Sequence, residues 1–236
     1  MNEKLKTLGR VDFTEGPLFS QMLRYAIPVM LTGLLQICYN LADNIIVGKF
    51  SGDEFALAAV GATSELTRMI INLLMGIGAG AGIIVAQAYG ATDTKKLSKA
   101  VHTSITFSLF AGAFFAVLFF FAAKPALTIM DINPVFIDKS ILYMQITAFG
   151  VPASAVFNYS AGIIRSVGDS KTPLWILSSS GILNVALNLV FVIFCNMSVD
   201  GVALATVISQ YASAVAAVIV LTRRKNCDIF YKIARL

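Results

Sequence analysis

The sequence predicts an all-α integral membrane protein, a bundle of six transmembrane helices, on the strength of three observations. Of its 236 residues 57% are hydrophobic and 13% are charged, against about 25% charged in an ordinary soluble domain. Its mean hydropathy is +0.79, so little polar side chain is left to cover a surface facing water. Finally, six apolar runs are long enough to cross about 30 Å of hydrocarbon. They are Phe19 to Val47, Glu65 to Ala88, Val101 to Ala123, Ser140 to Ile164, Leu174 to Cys195 and Val199 to Leu221.

The basic residues set the orientation expected in the membrane. With the amino terminus in the cytoplasm, Lys4, Lys6, Arg10, Lys95, Lys96, Lys99, Arg165, Lys171, Arg223, Arg224, Lys225, Lys232 and Arg235 fall inside. Only Lys49, Lys124 and Lys139 then lie in outer loops, so the formal net charge of +5 reads as topology and not as a nucleic-acid footprint. The first apolar run is too long for a cleavable signal, and no small-residue cleavage site follows it. Cys38, Cys195 and Cys227 lie far apart in the sequence and away from the single histidine, His102, which indicates neither a disulfide framework nor a Cys/His metal site.

Residues 1–18 form a polar cytoplasmic tail, set off from span 1 by Gly16 and Pro17. The membrane lobe covers residues 19–222, and residues 223–236, with RRKNCDIFYKIARL, read as a basic amphipathic segment on the cytoplasmic surface. Span 1 carries the central feature. At the helical angle Thr32, Gln36, Tyr39, Asn40 and Asp43 fall within roughly a third of the circumference, and Leu and Ile fill the rest. A polar stripe in lipid must face protein or a water-filled cavity, and an acid at the membrane centre costs roughly 2.5–3.5 kcal/mol on insertion scales. Pro28, in the same span, removes one helical hydrogen bond and predicts a bend, read either as architecture or as a hinge for the Asp43 half.

Span 2 begins either near Phe55, as a long tilted helix, or near Glu65 after an interfacial piece. Glu65 and Arg68 stand at i, i+3 and can pair. The run GIGAGAG places Gly76 with Gly80 and Gly78 with Gly82 at four-residue spacing, which marks a helix that packs closely on another. Span 3, rich in phenylalanine, faces lipid over much of its circumference. Span 4 contains Gly150, Pro152, Asn158 and Tyr159, and it ends in a turn at Gly168 and Asp169, with Arg165 one helical turn before Asp169. Span 5 sets Ser180, Asn184 and Asn188 on one face.

Depths can be compared at about 1.5 Å per residue. Asp43 lies about six residues, roughly 9 Å, before the outer end of span 1. Asn188 and Thr206 each lie about seven residues, roughly 10 Å, from the outer ends of spans 5 and 6. Asn184 is one turn deeper. One carboxylate, two amides and a hydroxyl at one level make a hard-oxygen environment suited to a monovalent cation or to a proton on Asp43. The alternative is that these groups only join helices by hydrogen bonds.

The pieces IPVMLTGLLQICYNLADNIIVG, LAAVGA, QAYGA, GIIRSVGDSKTP, LNVALNLVFVI and GVALATVISQ resemble, in that order, the amino-terminal half of the multidrug and toxic compound extrusion (MATE) family. The resemblance implies one lobe of a twelve-helix antiporter of the plasma membrane that exports cationic or amphiphilic compounds in exchange for protons or sodium ions. It implies a cation site at Asp43, Asn184 and Thr206, with Asn188 standing where many members have a second acid. Gln36, Tyr39, Asn40, Asn158 and Tyr159 are expected to line the substrate cavity, and Pro28 to serve as the hinge. No cofactor is expected beyond the coupling ion, H+ or Na+, with Na+ at Asp43 as the candidate metal. The expected partners are membrane lipid, a small-molecule substrate and a second six-helix lobe, supplied by the same chain or by a homodimer partner. Two rivals remain: a flippase for lipid-linked precursors, which calls for cavity-facing Arg or Lys, and a non-transporting membrane assembly subunit.

Overall fold

The computed structural model describes residues 17–223. Of the tail expected at residues 1–18 and the amphipathic segment expected at 223–236, residues 1–16 and 224–236 lie outside the described residues. Among the described residues seven α-helices follow one another with no strand: α1 Leu18–Phe50, α2 Ala56–Gly90, α3 Thr94–Ile129, α4 Ile137–Ala148, α5 Val151–Ser166, α6 Lys171–Leu189 and α7 Val199–Arg223. Five of the spans are single long apolar rods, α6 being prolonged by a π-helical turn over Val190–Phe194. Span 4 is a broken one, α4 meeting α5 at 47°. The break falls at Phe149 and Gly150, just before Pro152, whose ring fits the first turn of a new helix.

Span 2 starts at Ala56, the earlier of the two starting points open in the sequence, rather than at Glu65. Asp53 fixes that start, because its side chain accepts the backbone N–H of Phe55 and its carbonyl that of Ala56. Residues 56–64 therefore continue the helix instead of lying in the interface. Around Pro28 α1 stays helical, and the hydroxyl of Thr32 donates to the Pro28 carbonyl at 2.8 Å. Glu65 and Arg68 approach to 3.5 Å on an exposed face. Asp169 accepts both the backbone N–H and the hydroxyl of Thr172, so it ties the turn to the start of α6.

In lipid, helices gain little from hiding apolar surface, and close packing carries their association. Small residues are accordingly found at the contacts. Gly78 of α2 faces the ring of Tyr159 in α5, and Gly82 faces the Gly162 carbonyl. Gly76 and Gly80 point into open space, so only one of the two expected glycine pairs packs within the lobe. A close approach of backbone to backbone joins α3 to the start of α5, where a Cβ on Gly112 would lie 2.7 Å from the Pro152 Cα. The aromatic face of α3, with Phe110, Phe114 and Phe121 each more than 60% exposed, looks outward, as expected of a lipid-facing helix.

The end of the lobe that carries the α1–α2 connection is gathered on one carboxylate. Asp53, between α1 and α2, receives Lys139 Nζ of α4 at 2.6 and 2.7 Å and the Ser198 hydroxyl from the α6–α7 connection at 3.0 Å. Phe55 and Phe136 stack beside it at 6.4 Å. Lys139 beside it, aided by the N–H of Phe55 and the hydroxyl of Ser198, holds the Asp53 carboxyl below the usual carboxylate range.

Candidate functional site: a polar cavity around Asp43

Three elements converge on Asp43. Its carboxylate projects from α1, is 9% exposed and accepts a hydrogen bond from Nδ2 of Asn188 on α6. The same Nδ2 lies 3.4 Å from Oδ1 of Asn184, one turn away. Nδ2 of Asn184 reaches the Thr206 hydroxyl of α7 at 3.4 Å, and that hydroxyl donates to the Val202 carbonyl at 2.9 Å. A relay of neutral dipoles thus runs across three helices to a single acid. The sequence folds this way because Asn184 and Asn188 share a face of α6, and that face packs on both α1 and α7.

One atom in the relay is unsatisfied. Oδ1 of Asn188, in a side chain with no exposure, has no hydrogen-bond partner. A buried amide oxygen without a donor costs roughly 1–3 kcal/mol, and here it belongs to the residue bonded to the carboxylate. Among the described residues no three His, Cys, Asp or Glu side chains come together. A cation held at Asp43 would therefore take its other ligands from amide, hydroxyl and carbonyl oxygens, a donor set that suits a hard ion. Tyr143 of α4 packs near the acid, in the cluster that holds Ile46 and Val47.

Asp43 opens onto a cavity of about 120 Å³ between α1, α5, α6 and α7. Gln36, Tyr39, Asn40, Asp43, Asn158, Asn184 and Thr206 all line it. Asn188 stands behind the wall, bonded to the acid. Tyr159 is not among the residues around this space: it turns to the opposite face of α5, where it packs against Gly78 and Phe107 and lines a different pocket. Asn158 and Tyr159 are adjacent in sequence, so on a helix they point about 100° apart, and here that step carries Tyr159 away from the cavity and toward α2 and α3.

Sequence reasoning missed the lower wall. Ser209, Gln210 and Ser213 of α7 and Ser154 of α5 also line the cavity, and Oε1 of Gln210 and the Ser209 hydroxyl are buried without partners. The signal was available, since Thr206, Ser209, Gln210 and Ser213 repeat at three- and four-residue spacing on one face. Gly181 makes room for the ring of Tyr39, whose hydroxyl donates to the Ser178 carbonyl at 3.2 Å, and that contact sets the width of the cavity between α1 and α6.

The family model MatE matches residues 28–190, which include Pro28, Asp43, Asn184 and Asn188. This chain belongs to the MatE family. Its MatE relatives include the probable multidrug resistance protein YoeA of Bacillus subtilis, 31% identical over 91% of this chain and 47% of YoeA. Another is the probable multidrug resistance protein NorM of Thermotoga maritima, 22% identical over 89% of this chain and 46% of that protein. Among solved structures, a MATE protein in its bent conformation superimposes with a TM-score of 0.81 at 26% identity, covering 87% of this chain and 46% of that one. A MATE protein in the straight conformation gives 0.79, again at 26% identity, over 88% and 46%. The chain spans about half the length of the MatE relatives it matches, and its fold is the half-lobe of a MATE transporter.

Proposed function

We propose that this chain forms the amino-terminal lobe of a cation-coupled exporter of the plasma membrane, with Asp43 as the seat of the coupling proton or sodium ion. The observation that carries the reading is a buried carboxylate bonded to an amide whose own oxygen is unpaired. A proton or Na+ entering there removes a charge that is costly at membrane depth, and Na+ gains a ligand in Oδ1 of Asn188. Cationic or amphiphilic compounds are the exported class, because Asp43 is the sole charged residue among those lining the cavity. Release of substrate and loading of the cation then compete for one negative charge. Pro28, fifteen residues before Asp43 on α1 and lacking a backbone N–H, is the place where that helix yields as the site loads.

The amino terminus is cytoplasmic by the charge asymmetry of the loops. A second lobe, in the same polypeptide or as a second copy, provides the facing wall of the substrate path and covers the outward faces of α1 and α2. The flippase reading is disfavoured by the cavity itself, which has neither Arg nor Lys in its lining, and by Arg68, which pairs with Glu65 on an exposed face. The assembly-subunit reading leaves the unpaired oxygens around Asp43 without a purpose.

The test is efflux of a fluorescent organic cation from cells carrying the gene. Asp43→Asn should reduce efflux driven by a proton or sodium gradient to background while the protein still reaches the membrane. Undiminished gradient-driven efflux by that variant would refute the assignment.

A further inference from the structure

A second cavity, of about 620 Å³, opens between α2 and α3 at the end where Lys95–Lys99 begin α3, and the Asp43 site makes no use of it. Its lining is graded. Lys96 and Lys99 stand at the mouth, Thr103 and Ser104 lie one turn further in, and Phe107 follows at the next turn. On the opposite wall Ile77, Ala81 and Ile84 of α2 are apolar, and the ring of Tyr159 closes the deep end. From Lys96 to Phe107 is eleven residues of helix, about 16 Å, which is half the roughly 30 Å thickness of a bilayer core. The groove is thus one leaflet deep, cationic at the height of headgroups and apolar at the height of acyl chains.

We infer that this groove binds an anionic phospholipid, with its phosphate between Lys96 and Lys99 and one acyl chain lying along Ile77, Ala81, Ile84 and Phe107. Charge complementarity selects this occupant. Basic pockets between transmembrane helices at a membrane surface recognise acidic headgroups, whereas an amphiphilic cation would meet two like charges here. Asp93 lies 3.6 Å from Lys96 and is the acidic group facing the mouth, but the Lys96 side chain is 82% exposed and free to turn toward a phosphate. Asp93 also accepts the backbone N–H of Lys96, which keeps its carboxylate at the start of α3 and leaves Lys99 for the lipid. The floor depends on Gly78, since a Cβ there would lie 3.2 Å from the Tyr159 ring that closes the groove.

The whole chain in detergent, incubated with phosphatidylglycerol or phosphatidylcholine and examined by native mass spectrometry, provides the test. Phosphatidylglycerol should be retained preferentially, and Lys96→Gln and Lys99→Gln should each lower its retention about fivefold. Lys171→Gln, a change at an exposed cation elsewhere on the same side, should leave retention unchanged. Ala81→Trp, which fills the groove and keeps both lysines, should also abolish the preference. A phosphatidylglycerol with a photoreactive acyl chain should label peptides containing Ile84 and Phe107. Equal retention of the two lipids, retention indifferent to both lysine changes, or labelling spread evenly around the bundle would overturn the assignment. So would a two-chain species in which the photolipid no longer reaches the groove, because a second copy would then be the occupant.

Discussion

Asn188 donates a hydrogen bond from its amide to the buried carboxylate of Asp43, joining the sixth α-helix to the first at membrane depth. Because the partner is an amide, the pair carries one negative charge where many members of the family, by the resemblance described above, carry two. Asn188→Asp would place a second acid in contact with the first, and the added Coulomb attraction should strengthen sodium binding about tenfold or more. Asn188→Leu should remove the donor and destabilise the lobe by about 1–2 kcal/mol, within the range for a buried group left without its partner. Sodium binding to the purified chain and thermal unfolding in detergent measure the two effects separately.

Gly112 meets the backbone of α5 and not the tip of a flexible side chain, so the contact cannot be relieved by a rotamer change. Gly112→Ala should force α3 away from Pro152 and cost about 1–3 kcal/mol of stability. Gly76→Ala, in open space on α2, should be nearly neutral in the isolated lobe. Thermal unfolding midpoints of the two variants, measured side by side, test which glycines carry the packing.

The corner around Asp53 should respond to acid. Lys139 lowers the carboxyl pKa of Asp53 in the folded protein, so the pair contributes stability above the unfolded value of about 3.9 and loses it as the pH falls through the lower folded value. Lys139 is 39% exposed, and solvent screening limits the contribution to at most about 1 kcal/mol. The melting temperature of the natural chain should exceed that of Asp53→Asn at pH 7. That difference should shrink as the pH drops below about 4, and a difference independent of pH would contradict the pairing.

Most of the architecture was legible in the sequence, because a bilayer restricts what an apolar run can do. With no water to satisfy backbone groups, runs such as Val101 to Ala123 had to be helices, and the order of the spans followed. The start of span 2 was not legible: Ala56 to Ser64 is apolar enough for either a helix or an interfacial piece, and the Asp53 carboxylate that bonds the N–H of Phe55 is held by Lys139 and Ser198 from distant parts of the chain. The break in span 4 was half-written in Gly150 and Pro152, yet neither its 47° angle nor the close approach of Gly112 to Pro152 could be read from composition or spacing. At the site, equal depth placed Asp43, Asn188 and Thr206 on one level, but depth says nothing of azimuth. Tyr159 was expected to line that cavity beside its neighbour Asn158 as the family resemblance implied, and the structure turns it to a different face of α5.

The coupling role of Asp43 is tested most directly by infrared difference spectroscopy of the chain in lipid, following the carbonyl stretch of protonated carboxylic acids as pH is raised or sodium is added. A buried band should disappear on alkalinisation or sodium binding in the natural chain and be missing from Asp43→Asn. The same band, with the same response, in the Asn variant would mean that the cation is held elsewhere and that the polar cavity on α1, α6 and α7 is not its seat.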